Sequence, residues 1–314
     1  MSRPLLSIVI ANYNYGRFLE EAIRSVIVQD MSDKVELIIC DAASTDNSVE
    51  IIKKYANGLP PSTSYSDWQL MTNGQQFTTR FSTPNSSPPP FITWWCSEKD
   101  CGQSAAFNKG FSHASGEWLT WLNADDLLLP GTIAAFASIS SRHPKAKWVT
   151  GNMLSFDSTT RIVLDVNWGP HIQPPLLKRR KAFREVYGPT TFFKKTLYDE
   201  IGPVDENLHY AMDSEYWARL TMAGIRQTRL NHICWGFRIH PESKTEGTQS
   251  QEVMAKRQKE AEYWITKTKY GFRQRLSNPC YLLWILWRIF DGSWIVRMYH
   301  KWFVRGMSLD AMYR

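Results

Sequence analysis

Short apolar runs that alternate with amphipathic segments are the feature that most constrains this chain's fold. Residues 6–11 read LSIVIA and residues 35–40 read VELIIC, and such runs are typical of strands buried on both faces. Between them, residues 16–27 place apolar side chains at helical spacing. A further helix at 102–113 and a strand at 118–122 continue the pattern. The repeat predicts an α/β fold with a mainly parallel sheet and helices on both faces.

One long segment interrupts this alternation. Residues 58–93 are rich in Ser, Thr, Pro, Asn and Gln and include three consecutive prolines. The segment is too long for an ordinary connection between elements. It is interpreted as an insertion, and both a functional loop and a poorly ordered stretch stay open.

Composition excludes several classes of function. Five cysteines occur without a CxxC pair, which argues against a zinc site or a disulfide framework and favours reduced thiols in a cytosolic protein. The start of the chain shows no signal-peptide pattern. The formal charge of +7 is not accompanied by a nucleic-acid-binding motif. We therefore expect no nucleic-acid partner, and the charge favours phosphorylated substrates or an anionic membrane surface.

The C-terminal part differs in character from the rest. Residues 280–287 (CYLLWILW) are apolar but far too short to span a membrane. After a break at 291–293, a second helix is predicted with a basic stripe opposite an aromatic face. The stripe is Arg297, Lys301 and Arg305, and the opposite face is Ile295, Met298, Tyr299, Trp302 and Phe303. This pattern is typical of a helix lying in a membrane interface, although a helix packed on the domain with its basic side in water is the alternative.

Polar loops follow three of the predicted strands. These loops are residues 11–15 (ANYNY), 41–46 (DAASTD) and 123–126 (NADD). Ligands of parallel α/β sheets bind beyond the carboxyl ends of strands, so the three loops are expected to form one rim. Adjacent Asp125 and Asp126 repel each other unless a cation such as Mg²⁺ or Mn²⁺ lies beside them, or unless one of them caps a helix. Asp41 is a candidate to accept a hydrogen bond from a nucleobase or a ribose, with helix capping as the alternative.

Five segments in order resemble family 2 of the glycosyltransferases, whose members have the GT-A fold. They are LSIVIANYNYGRFLEEAIRSVIVQ, ELIICDAASTDNSVEIIKKY, SEKDCGQSAAFNKGF, GEWLTWLNADDLLLPG and GPTTFFKKTLYDEIGPVDENLHYAMDSEYWARL. The resemblance covers about residues 5–245. It implies a glycosyltransferase domain at 1–245, with a nucleotide-sugar half at 1–130 and an acceptor half at 151–245. Residues 246–314 are then a helical C-terminal extension.

The resemblance also implies roles for individual residues. Asp125 matches the direct metal ligand of an Asp-x-Asp motif. His240 is a candidate to complete the metal site or to contact the diphosphate, with a structural role as the alternative. Asn123 departs from that motif, since it adds no charge for the metal. The predicted donor-binding residues are Ala11, Asn12, Asn14, Asp41, Gln103, Asn108, Lys109, Asn123, Ala124 and Arg238.

Asp213 matches the general base of the family. A base must reach the acceptor hydroxyl on the sugar face opposite the leaving diphosphate, which gives inversion. Helix capping by Asp213 is the alternative role, and Glu215 is the rival base.

The expected reaction is transfer from a UDP-, GDP- or dTDP-sugar to a glycan or lipid-linked hydroxyl, with Mn²⁺ or Mg²⁺. The chain is expected to be cytoplasmic, peripheral at the inner face of the cell membrane, with a role in cell-surface polysaccharide or glycolipid assembly. A sugar nucleotidyltransferase and a non-catalytic nucleotide-sugar-binding protein are the alternatives. A dehydrogenase is disfavoured because no GxGxxG follows the first strand.

Overall fold

The computed structural model describes residues 3–31, 34–57, 92–169, 186, 188–244, 251–268 and 278–310. Most of the predicted insertion lies outside these residues. The run of four basic residues at 178–181 (KRRK), for which the sequence offers a lipid-linked pyrophosphate site or a charged surface, also lies outside them. The strands are β1 (Leu6–Asn12), β2 (Val35–Asp41), β3 (Ile92–Ser97), β4 (Trp118–Asn123), β5 (Leu127–Leu128), β6 (Trp148–Asp157), β7 (Val163–Asn167), β8 (Thr191–Lys194) and β9 (Gln227–Ile239). The helices are α1 (Gly16–Ile27), α2 (Ser48–Ala56), α3 (Gln103–His113), α4 (Thr132–Arg142), α5 (Lys195–Ile201), α6 (Met212–Met222), α7 (Gln251–Thr268), α8 (Asn278–Phe290) and α9 (Ser293–Phe303).

The first half of the chain forms the parallel part of the sheet. The strand order is β3-β2-β1-β4-β8-β6-β9-β5, and β7 pairs with β6 beside this path. Strand β1 pairs in parallel with β2 and β4, and its register places Asn12 beside Asp41 and Ala11 beside Asn123. The polar loops after these three strands therefore start at one edge of the sheet, as the sequence predicts.

The second half of the sheet is mixed, so the prediction of a mainly parallel sheet is wrong there. Strand β8 is antiparallel to both β4 and β6, while β7 is antiparallel to β6 and β5 is antiparallel to β9. Among the described strands of this half, only β6 and β9 pair in parallel. The connection at 158–162 has five residues, which suffices for a hairpin but not for the crossover that a parallel pair requires.

Helices cover both faces of the sheet, as predicted. Ile8 and Ile10 of β1 pack with α1, α2 and α4, whereas Val9 packs with α3, α5 and α6. This alternation follows from the two-residue period of a strand, and both faces are apolar because both are buried. On the face that contains Val9, the rings of Trp121 and Trp217 stack with centroids 5.2 Å apart, which joins β4 to α6.

The C-terminal extension packs on the rest of the molecule. Helix α7 contacts α6, and α9 contacts β7. The predicted break is confirmed, since Gly292 has a φ of 77° between α8 and α9. Beyond α9, the Val163 N–H donates to the Met307 carbonyl at 2.9 Å, which extends the sheet edge. Within the described ranges, no helix is both long and apolar enough to cross a bilayer.

Candidate active site

Asp125 and His240 form a pair at the carboxyl end of β4. The distance from Asp125 Oδ2 to His240 Nε2 is 3.1 Å, and the histidine side chain is almost fully buried. The rings of Tyr15 and Phe18 pack against the imidazole, with centroids 5.8 Å and 4.8 Å away. Burial, followed by the charge of Asp125, raises the pKa of Tyr15 to about 12. The structure thus brings together the two residues that the sequence predicts as metal ligands.

The geometry of this pair fits a shared divalent cation. Two ligands at roughly 2.1 Å from an octahedral ion, at right angles to each other, are about 3.0 Å apart. One carboxylate and one imidazole suit Mn²⁺ better than Mg²⁺, which prefers oxygen ligands. No group of three or more His, Cys, Asp and Glu side chains suited to a metal occurs in the described part of the chain. A cation held by this pair would take its remaining ligands from phosphate and water.

Asp126 stabilises the loop of residues 123–126, called the metal loop, and does not add a ligand to the candidate metal site. It is fully buried, and burial followed by the charge of Asp125 raises its pKa. Its carboxylate accepts from the Arg238 backbone N–H at 2.9 Å and from Asn123 Nδ2 at 2.7 Å. Neither aspartate caps a helix, because the short strand β5 follows and Gly131 precedes α4.

Arg238 stabilises the metal loop through hydrogen bonds. Its Nε donates to the Asp125 carbonyl at 2.7 Å, and another guanidinium nitrogen pairs with Glu21. The side chain is 3% exposed and lies over the rings of Phe18 and Phe156. These contacts favour a positioning role for Arg238 over the donor contact that the sequence predicts.

A second polar cluster joins the ends of β1, β2 and β3. Buried Asp41 accepts from Asn12 Nδ2 at 2.7 Å, from Ser97 Oγ at 2.6 Å and from the Ser44 N–H at 3.0 Å. Asn14, with a φ of 54°, accepts from the Thr45 N–H at 2.8 Å. Asp41 therefore fixes the rim loops, and it does not cap α2, whose N-cap residue is Asn47.

The three predicted donor residues of α3 have different surroundings. Gln103 Nε2 donates to Asn123 Oδ1 at 2.8 Å, so Gln103 lies within the site. Asn108 donates to the Val204 carbonyl at 2.8 Å and accepts from the Val204 N–H at 2.9 Å, which ties α3 to the acceptor half. Lys109 pairs with exposed Glu98 at 2.8 Å. All three side chains thus have protein partners, and Gln103 differs in that its partner Asn123 belongs to the candidate site.

Asp213 lies in the first turn of α6 but is not its cap. The N-cap residue is Ala211, and the Asp213 carboxylate accepts from Ser214, whose N–H donates at 2.6 Å. Burial raises the pKa of Asp213, which suits a group that must take up a proton. The rival Glu215 is fully buried and bonded to Arg219, so it cannot reach an acceptor.

Lys244 is a site residue that the sequence reasoning missed. Its Nζ donates to Gln103 Oε1 at 3.1 Å, and its charge interacts with those of Glu260, Asp213 and Asp125. Burial lowers the pKa of this lysine to about 8. The only sequence signal was its position four residues after His240, in the polar segment HPESK.

The family follows from a comparison with known proteins. The family model described as glycosyl transferase family 2 matches residues 7–202, well over half of the chain. The chain belongs to glycosyltransferase family 2. The matched range contains Asp41 and Asp125 but ends before Asp213, His240 and Lys244, so the placement of these three rests on the structure.

Curated relatives of this family 2 chain carry the same activity in their names. An uncharacterized glycosyltransferase from Nostoc is 35% identical over 125 residues, which is 40% of this chain and 29% of the relative. A PGL/p-HBAD biosynthesis glycosyltransferase from Mycobacterium bovis is 24% identical over 74% of this chain and 76% of the relative. The chain thus spans less than a third of the Nostoc protein and most of the mycobacterial one.

Solved structures of similar fold are GT-A glycosyltransferases. Staphylococcus aureus TarS 1–349 in complex with UDP-GlcNAc has a TM-score of 0.51 at 15% identity, covering 90% of this chain and 79% of TarS. The Pyrobaculum calidifontis mannosyltransferase PcManGT, in complex with GDP-Man and Mn²⁺, has a TM-score of 0.50 at 15% identity, covering 96% and 88%. At this identity the likeness establishes the fold alone.

Proposed function

We propose that this family 2 enzyme transfers one sugar from a nucleoside diphosphate sugar to an acceptor hydroxyl with inversion. The observation that carries the proposal is the Asp125–His240 pair, 3.1 Å apart, at the sheet edge where nucleotides bind. The mannosyltransferase with GDP-Man and Mn²⁺ has a similar fold, which supports a divalent cation here. Mn²⁺ is proposed over Mg²⁺ because of the imidazole ligand.

The residues of the chain divide the chemistry between two sides of the sugar. Asp125 and His240 would hold the cation, which when bound neutralises charge on the departing diphosphate. Arg238 and Asp126 keep the Asp125 loop in place. Asp213 accepts the proton of the acceptor hydroxyl as that oxygen attacks the anomeric carbon from the opposite side. A single displacement of this kind inverts the anomeric configuration.

The acceptor is proposed to be a glycan or lipid-linked hydroxyl at the inner face of the cell membrane. Arg288 is buried and donates to the Trp168 carbonyl and to Ser293, which anchors the α8–α9 hairpin on the domain. The outer face of that hairpin exposes ten large apolar side chains: Leu282, Leu283, Leu286, Ile289, Phe290, Trp294, Ile295, Tyr299, Trp302 and Phe303. An exposed apolar patch of this kind supports contact with a membrane.

Exposed Lys301 and Arg305 lie near this patch, as expected for a surface that contacts anionic lipid headgroups. The face of α9 that packs on the domain includes Ser293 and His300, and the His300 ring stacks on Trp168 with centroids 5.0 Å apart. The sequence did not show this third, domain-facing side of the helix. The helix therefore packs on the domain and also exposes aromatic side chains, while its contact with a membrane stays a prediction.

Product analysis separates this function from the rival reactions. The protein is incubated with Mn²⁺, UDP-, GDP- or dTDP-sugars and a mixture of glycan and lipid-linked acceptors, and separately with nucleoside triphosphates and sugar 1-phosphates. Release of a nucleoside diphosphate in the first incubation is the expected result. Pyrophosphate release in the second alone would indicate a nucleotidyltransferase, and binding without any release would indicate a non-catalytic protein.

A further inference from the structure

A departing diphosphate carries more negative charge than one divalent cation neutralises, so a second cation is expected beside it. The two basic side chains that the sequence predicts at the donor site both have other partners. Lys109 pairs with exposed Glu98, and Arg238 is paired with Glu21 and bonded to the Asp125 carbonyl. The positive charge at this position must therefore come from another residue.

The ammonium group of Lys244 is placed to bind an anion. Across the described residues, no carboxylate lies within 4.0 Å of its ammonium group. Within the described part of the chain its ammonium bonds the neutral amide of Gln103 alone, although an ammonium group has three donors. Gln103 in turn bonds Asn123, two residues before Asp125. The side chain of Gln103 therefore links the ammonium group of Lys244 to the metal loop.

A tight turn places Lys244 and the metal-binding histidine on the same short segment. The Ser243 N–H donates to the His240 carbonyl at 2.9 Å, and the His240 N–H donates to Ser243 Oγ at 3.0 Å. Ser243 Oγ also donates to the Arg238 carbonyl at 3.2 Å. A ligand that contacts both a cation held by His240 and the ammonium of Lys244 would span this turn, and the two phosphate groups of a diphosphate offer one contact to each.

Helix α7 forms hydrogen bonds both to Lys244 and to the segment that precedes α6. Arg257 donates to the Lys244 carbonyl, and the charged groups of Arg257 and Lys244 lie 5.0 Å and 5.4 Å from the Tyr210 ring. Glu260 accepts from the N–H groups of Tyr210 and Ala211, at 2.6 Å and 3.2 Å. These bonds satisfy backbone donors at the start of α6, the helix that carries Asp213. One helix of the C-terminal extension thus fixes Lys244 and the candidate base together.

We propose that Lys244 binds the diphosphate of the nucleotide sugar, and that Arg257 and Glu260 position Lys244 and the start of α6. This inference rests on the proposed glycosyl transfer and adds a residue to the same site. In the reaction, the acceptor oxygen forms a bond to the anomeric carbon as the bond from that carbon to the diphosphate oxygen breaks. Lys244 stabilises the negative charge left on the diphosphate, and a cation held by Asp125 and His240 would share that charge. Lys244 stays protonated throughout, since Asp213 takes the acceptor's proton.

The test compares diphosphates with monophosphates, because only the former reach Lys244. Affinities of UDP, GDP, dTDP, UMP, GMP and dTMP are measured calorimetrically with Mn²⁺ for the wild type, Lys244→Met and Lys244→Arg. Lys244→Met is expected to weaken the preferred diphosphate by about 10- to 100-fold, the scale of a charge-assisted hydrogen bond, and its monophosphate by less than about 3-fold. Lys244→Arg should recover most of the loss. Lys147→Met, which changes an exposed lysine paired with Glu200, is the control and should match the wild type.

Positioning by Arg257 has its own readout. Arg257→Met should lower the ratio of diphosphate to monophosphate affinity, and Arg257→Lys should restore part of that ratio, which a loss of folding would not do. Equal weakening of both nucleotides in Lys244→Met, or unchanged diphosphate affinity, would overturn the proposal. These results are separable from failure of glycosyl transfer itself, which would appear as no nucleoside diphosphate release by the wild-type protein.

Discussion

The substitution Asp213→Asn separates a catalytic role of this side chain from a structural one. Asparagine keeps the shape and can still accept from the Ser214 N–H, which is 2.6 Å from the carboxylate. Because Ala211 and not Asp213 is the N-cap residue of α6, the free energy of unfolding should fall by less than about 1 kcal/mol. The transfer rate should fall by about 100- to 10,000-fold, the scale of general-base catalysis.

Single-turnover transfer and donor titration measure these two effects separately. Donor affinity should barely change, since the base faces the acceptor. Asp199→Asn is the matched control, because Asp199 is an exposed aspartate on α5 and should keep the wild-type rate. Glu215→Gln should lower stability, because Glu215 is buried against Arg219, while folded protein should retain transfer. A transfer rate for Asp213→Asn within about threefold of the wild type would refute the assignment of the base.

Asp213 also predicts the acid limb of the pH profile. Burial raises the pKa of its carboxyl, and only the ionised form accepts a proton. The single-turnover rate of the wild type should therefore fall on acidification at a pH above the usual range for an aspartate. The Asp213→Asn residual rate should lack this limb, and its persistence in that variant would assign the titration to another group.

Three further predictions follow from the same geometry. Asp125→Ala should abolish thermal stabilisation by Mn²⁺ with a nucleoside diphosphate; stabilisation equal to wild type would exclude Asp125 as a ligand. The pKa of Lys244 is lowered to about 8, so the free ammonium loses its proton as pH rises through this value. Diphosphate affinity should fall over that range in calorimetry with Mg²⁺ and stay flat in Lys244→Arg; the same fall in both would refute the assignment. Phe290→Ser with Trp302→Ser should release the protein from anionic vesicles in flotation, while Met254→Ser on α7 should not; retention by the double variant would place membrane contact elsewhere.

The sequence predicted the nucleotide half because its signals are local. Buried strands are recognisable in a sequence as apolar runs. The polar residues that follow each run meet at one edge of a parallel sheet. Asn12, Asp41 and Asn123 were placed at that edge in this way. The break between α8 and α9 was also local, because it depends on Gly292.

The rest of the site depends on contacts between distant parts of the chain. The bond between Lys244 and Gln103 joins residues 141 positions apart, and Glu260 reaches Tyr210 across 50 positions. A single lysine or glutamate in a polar segment gives no pattern that marks such a contact. The mixed pairing of β4, β6 and β8 was missed for a related reason, since a four-residue strand gives little periodicity to identify.

Release of nucleoside diphosphate from a panel of UDP-, GDP- and dTDP-sugars tests the central claim most directly. The assay compares the wild type with Asp125→Ala, each with Mn²⁺ and with excess EDTA. We predict release by the wild type with Mn²⁺, and loss of release both in EDTA and in Asp125→Ala. Full release by the wild type in EDTA, or by Asp125→Ala with Mn²⁺, would contradict a metal-assisted glycosyl transfer at this site.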